Sequence, residues 1–167
     1  MTEAATARLS LPLLSAGQAQ KEMTHNEALT LIDMLMVPAV QAVGQDDPPG
    51  TPAAGECWIV GAAPTGDWVG QTNALACWTD GGWRFVSARA GQAIWSVPDD
   101  VFAVFSDQWQ VGAMPVTRLI VDGQQVVGAQ AASIADVQGG DTIDAEARDA
   151  VASILACLRT HGLIATA

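Results

Sequence analysis

Few side chains in this sequence have the types and spacing that chemistry needs. There are two histidines, His25 and His161. His25 stands between Glu22 and Glu27, close to Lys21, which would suit an acid–base pair. A polar residue near a helix start is the better account of it. His161 ends an apolar-periodic stretch, where a cation suits the negative end of a helix dipole. Asp46-Asp47 and Asp99-Asp100 are adjacent carboxylates, and glycoside hydrolysis uses two. Neighbouring residues on a strand point to opposite faces, however, and both pairs sit beside prolines, so they read as turn formers. No Gly-rich phosphate loop, GxSxG, HExxH or calcium-loop pattern occurs. Cys57, Cys77 and Cys157 include no CxxC pair, so they read as small buried hydrophobes rather than a disulfide framework or zinc site. The expectation is no catalytic residue, no metal and no cofactor.

The tryptophans are the residue class with binding potential. The chain has 6 Trp, 3 Phe and no Tyr. An indole on a sheet surface can stack on a sugar ring and offer its N–H to a hydroxyl. Trp58, Trp78, Trp83, Trp95 and Trp109 read first as the core of a small sheet. Trp68 lies in Pro64-Thr65-Gly66-Asp67-Trp68-Val69-Gly70, a loop, and is the expected exposed aromatic. With Trp78 and Trp83 it forms the candidate glycan-binding set.

Three segments must position these residues. Residues 15–40 read as helix, with Ser15 and Gln18 at capping-box spacing and Leu29, Ile32, Met36 and Ala39 forming a stripe. Pro38 should end it near Met36, and Thr24-His25-Asn26-Glu27 is a second possible start. Residues 45–138 read as antiparallel β. Cys57-Trp58-Ile59-Val60 is a strand, and residues 75–86 form a hairpin centred on Asp80-Gly81, with a type I′ turn setting Trp78 opposite Trp83. A second Asp-Gly hairpin centres on Asp122-Gly123. Leu75-Ala76-Cys77-Trp78-Thr79-Asp80 repeats 27 positions later as Phe102-Ala103-Val104-Phe105-Ser106-Asp107, with Trp109 answering Trp83. Two such units suggest a meander or a partly closed barrel. Residues 139–167 read as a C-terminal amphipathic helix, capped by Asp141 or Thr142 and ended at Gly162, with Leu163 folding back on Leu158. Ala147, Val151, Ile154 and Leu158 follow heptad spacing. The fold class is thus α+β, with segments 1–44, 45–138 and 139–167. The apolar stripes, Leu29, Ile32 and Met36 on one helix and Val151, Ile154 and Leu158 on the other, are the candidate subunit or particle contacts, the second being equally able to pack on the sheet.

Composition narrows the function. In 167 residues, 7 Lys and Arg face 18 Asp and Glu, for a net charge of −11. That opposes phosphate-tracking nucleic-acid binding and adhesion to anionic lipid. Half the residues are apolar and 15% are charged, which excludes a mostly disordered chain. The length favours one domain, or one domain plus an appended helix. The acidic start Met1-Thr2-Glu3 does not suit a signal peptide.

Leu11-Pro12, then Gln18-Ala19-Gln20-Lys21-Glu22, then Thr24-His25-Asn26-Glu27-Ala28-Leu29 resemble the N-terminal signature of the DUF2793 family. Thr65-Gly66-Asp67-Trp68-Val69-Gly70-Gln71 and the hairpin Ala76-Cys77-Trp78-Thr79-Asp80-Gly81-Gly82-Trp83-Arg84-Phe85 continue it in order. The resemblance covers about residues 9–110. It implies a structural protein of tailed phages, prophages or gene transfer agents of alphaproteobacteria, found in tail fibres or head spikes. With one helix after the match, it implies a base or adaptor that forms a homo-oligomer, trimer or pentamer, and joins a capsid vertex or tail to a distal fibre. The expected location is the particle surface, after assembly in the bacterial cytoplasm. The alternative is a module binding host capsular or surface polysaccharide. The resemblance lends no catalytic residue.

Overall fold

A computed structural model describes residues 4–15, 17, 21–140 and 142–166. The fold is α+β, and it divides into two compact units, Met1–Met114 and Pro115–Ala167.

In the first unit, residues 4–14 form a strap closed by a bridge between Ala5 and Pro12. Helix α1 (Lys21–Leu35) follows. It starts later than Ser15, which is not helical, and runs unbroken through Thr24-His25-Asn26-Glu27; Gln18 lies outside the described residues. Its end falls where Pro38 requires. A residue before proline is driven out of the right-handed helical region, and Val37 takes φ 50°.

Two short strands, β1 (Ala39–Val40) and β2 (Val43–Gln45), lead into two four-stranded sheets. Strands β3 (Cys57–Val60), β4 (Leu75–Thr79) and β5 (Gly82–Val86) form one antiparallel meander, with β2 added parallel to β3. Strands β6 (Ala93–Ser96), β7 (Val101–Phe105) and β8 (Trp109–Val111) form the other, with β1 parallel to β6. The sheets are therefore mixed rather than wholly antiparallel, and neither closes into a barrel. The repeat read in the sequence is a repeat in space. Trp78 pairs with Trp83 in one meander, and Phe105 pairs with Trp109 in the other.

The β4–β5 turn differs from the type I′ expectation. Asp80 and Gly81 are not in the left-handed region; Gly82 is, at φ 95°. The Thr79 hydroxyl donates to Gly82 O (2.7 Å) and accepts from Gly81 N (3.2 Å). That local bonding favours a turn with a following glycine bulge, and the expected register survives.

Strand β3 is buried on both faces. Cys57 and Ile59 join Met34, Leu75, Cys77 and Ile94 in one cluster, while Trp58 and Val60 join Trp68 and Ala76 in another. Alternation along a strand produces this division.

The second unit holds a hairpin of β9 (Leu119–Val121) and β10 (Gln124–Val127) and helix α2 (Ala145–Thr160). Here Asp122 and Gly123 both have positive φ, 49° and 74°, as a type I′ turn demands. The cap of α2 is Asp144, whose carboxylate accepts from Ala147 N at 2.9 Å, not Thr142; Asp141 lies outside the described residues. The helix ends in a Schellman motif. Leu163 N donates to Leu158 O (2.9 Å), Gly162 N donates to Arg159 O (3.0 Å), and Gly162 has φ 67°. Arg159 spans from α2 to Asp136 Oδ1 (3.0 Å) and Ile134 O (2.6 Å), pinning the preceding loop. No helix among the described residues is long and apolar enough to cross a membrane.

Candidate functional site

One acid in an apolar run organises the polar side of the first unit. Asp33 follows Leu31 and Ile32 and precedes Met34, yet only 4% of it is exposed. Its carboxylate accepts from the Thr6 hydroxyl (2.9 Å), Arg8 N (3.0 Å) and Leu9 N (2.7 Å). A buried charge persists only when hydrogen bonds replace its water. Arg8 returns the favour at the helix end, where carbonyls lack intrahelical donors. Its guanidinium donates to Asp33 O, Met34 O and Val37 O at 2.9–3.1 Å. At the other end of the strap, the Asn26 amide donates to Leu14 O (3.0 Å) and accepts from Leu14 N (2.9 Å).

Between the strap, α1 and the β4–β5 hairpin lies a cleft of about 320 Å³. Its wall carries an ion pair, Arg84 Nε to Glu27 Oε1, at 2.8 Å. Thr30 and Thr79 also line it, and their hydroxyls already bond to Asn26 O and Gly82 O. The Glu27–Arg84 pair ties α1 to the hairpin, while the two hydroxyls bond within their own helix and turn. The sequence reading did not single out Asp33, Arg8, Asn26 or Arg84. A lone acid between four large apolar residues was the available signal.

The indoles sit differently from the expectation. Trp68 is not an exposed loop aromatic: it is 0% exposed. A 3-10 turn, Gly66–Trp68, folds it inward, with its ring 5.1 Å from Trp83 in an edge-on contact and 6.3 Å from Trp58. Val69, next to it, faces out instead. The physical reason is area, since an indole buries far more than the valine beside it. Trp78 and Trp83 are half-buried and meet edge to face at 5.0 Å. The candidate glycan set is therefore an interior aromatic cluster with two partly exposed members. Trp68 Nε1 has no hydrogen-bond partner.

The other candidates are separate. His25 is exposed and its Nδ1 lies 2.8 Å from Lys21 O in its own helix. Asp46 accepts from Ala63 N at 2.8 Å, Asp47 from the Thr65 hydroxyl and Asp99 from the Ser96 hydroxyl, so these carboxylates tie turns. Cys57 and Cys77 are buried and directly opposed across β3 and β4, both as free thiols. Their thiols donate to Gly55 O (3.6 Å) and Trp78 O (3.9 Å); the facing Cys77 and burial push the Cys57 thiol up, and the facing Cys57 draws Cys77 down. Cys157 is exposed, unlike the buried hydrophobe expected of it. Of the candidate contacts, Ile32, Met36, Val151 and Ile154 are exposed, while Leu29 and Leu158 are half-buried. Among the described residues, no three His, Cys, Asp or Glu side chains group closely enough to hold a metal.

Residues 25–110, just over half of the chain, match the family described as Protein of unknown function (DUF2793). The chain belongs to the DUF2793 family. The match runs from within α1 to within β8, so it takes in both Trp-bearing meanders and leaves out β9, β10 and α2. A search of curated proteins finds no match.

Proposed function

We propose that this DUF2793 protein is a non-enzymatic structural component of a phage-like particle, a base or adaptor of a head spike or tail fibre. It associates with copies of itself and holds a distal fibre for host attachment. The observation that carries this reading is how the chain uses its side chains. The polar groups around the cleft are bonded to one another, while large apolar residues on α1 and throughout the second unit face outward. Exposed hydrocarbon of this extent suits lasting protein contacts. The motif series Gln18 to Leu29 and Thr65 to Phe85 adds the likeness to virion proteins.

Recognition of host polysaccharide fits less well, because Trp68 offers no face to a sugar. Immunogold labelling of the tagged chain on purified particles tests the reading. Label at a vertex spike or tail tip is expected. Particles complete and infective without the chain, and never labelled, would overturn it.

A further inference from the structure

We propose that residues 115–167 are the surface through which copies of this chain associate, with Val151 and Ile154 of α2 at its centre. This deepens the oligomeric part of the proposed function.

Twelve large apolar side chains from Val116 to Leu163 are at least 38% exposed. They are spread over the hairpin, the loop after it and α2, so this unit leaves bare most of the hydrocarbon that a folded domain buries. The β9–β10 hairpin shows the imbalance most directly. Its strands read Leu-Ile-Val and Gln-Gln-Val-Val, and every residue is exposed, so neither face has a core. A two-stranded hairpin alone is marginal in water.

Helix α2 indicates what covers this surface. It buries Leu155 and leaves Val151 38% and Ile154 58% exposed. Ala147, Val151, Ile154 and Leu158 take alternating d and a heptad positions, and such a seam is complementary to a copy of itself. Charge points the same way. Residues 150–158 contain no ionisable acid or base besides Cys157, in a chain of net charge −11. Like-charged copies can meet along this stretch without facing carboxylates. Arg148 and Arg159 are turned away from the seam, bonded to Gly139 O and Asp136.

The test uses the full chain. Sedimentation velocity over a hundredfold dilution should show a multiple of the single-chain mass that dissociates on dilution. Ile154→Gln and Val151→Gln, which keep helix propensity, should each weaken association about tenfold or more, whereas Ile32→Gln on α1 should not. The native thiol Cys157 provides a readout on the unaltered protein. Its alkylation should slow as the chain associates. A wild-type chain that stays monomeric, seam variants that associate as wild type does, or a Cys157 rate unmoved by association would each overturn the inference. A monomer still found on particles sinks this inference alone. An oligomer absent from particles sinks the proposed function alone.

Discussion

Replacing Asp33 tests whether the strap is held by one buried carboxylate. Asp33→Ala leaves the Thr6 hydroxyl and two backbone N–H groups, Arg8 and Leu9, without their acceptor. Hydrogen bonds to a charged group are worth roughly 1.5–3 kcal/mol each, and they are not additive. Each donor left without a partner costs about 1–3 kcal/mol, so for three donors we take about 4 kcal/mol. For a unit of this size 1 kcal/mol moves Tm by roughly 4 °C, giving a fall of about 15 °C. Asp33→Asn keeps one acceptor oxygen, which can serve Thr6 and Leu9, but sets an NH2 against Arg8 N; about 2 kcal/mol is expected. All six tryptophans lie between residues 58 and 109, so intrinsic fluorescence reports this unit. The cycle with Thr6→Ala is decisive: about 2 kcal/mol in the wild type and about 1 kcal/mol in Asp33→Ala, where the Thr6 hydroxyl still accepts from Leu11 N. An Asp33→Ala chain within about 1 kcal/mol of wild type, or additive effects of the two changes, would refute the account.

Three further outcomes follow from single residues. Trp68→Ala should cost about 3–5 kcal/mol through the cavity it leaves, whereas Trp68→Phe should cost less than half of that, since Nε1 forfeits no bond; urea unfolding checks both. Val37 occupies the left-handed region at φ 50°, so Val37→Gly should stabilise by about 1 kcal/mol, read as a higher Tm. Thiol titration with a disulfide reagent should find one fast cysteine in the native chain, Cys157, and three after denaturation, because Cys57 and Cys77 are buried; fast reaction at Cys57 would contradict the packing.

What was legible in the sequence was local. The Trp78/Trp83 register, the 27-residue repeat, strand β3 and the Gly162 helix stop rest on residues near one another in the chain. The parallel strands were not legible. Val43 pairs with Ile59 and Ala39 with Trp95, and strands of two or three residues carry no period. The clasp around Asp33 was hidden for another reason. An acid on a helix reads as solvated unless its distant donors are known, and those donors lie in the strap. Trp68 misled because glycine, aspartate and threonine around it mark a loop. The loop prediction is right, but a loop can still turn its largest side chain inward.

The two units differ in what they can do alone, and that difference can be measured. Among the described residues, fourteen buried apolar side chains belong to the first unit and two, Leu155 and Ile164, to the second. Small domains already struggle to bury enough surface to offset chain entropy, and two buried side chains fall far short. A chain ending at Met114 should therefore keep its fluorescence spectrum and its cooperative unfolding, within a few degrees of the full chain. The isolated 115–167 segment should gain α-helical circular dichroism only as its concentration rises, because its missing core must come from other copies. If that segment is equally helical at every concentration, its exposed valines and isoleucines are compatible with a self-sufficient fold, and the reasoning from uncovered hydrocarbon to association fails. If instead the shortened chain loses the Trp68–Trp83 environment, the first unit depends on more than its own two clusters.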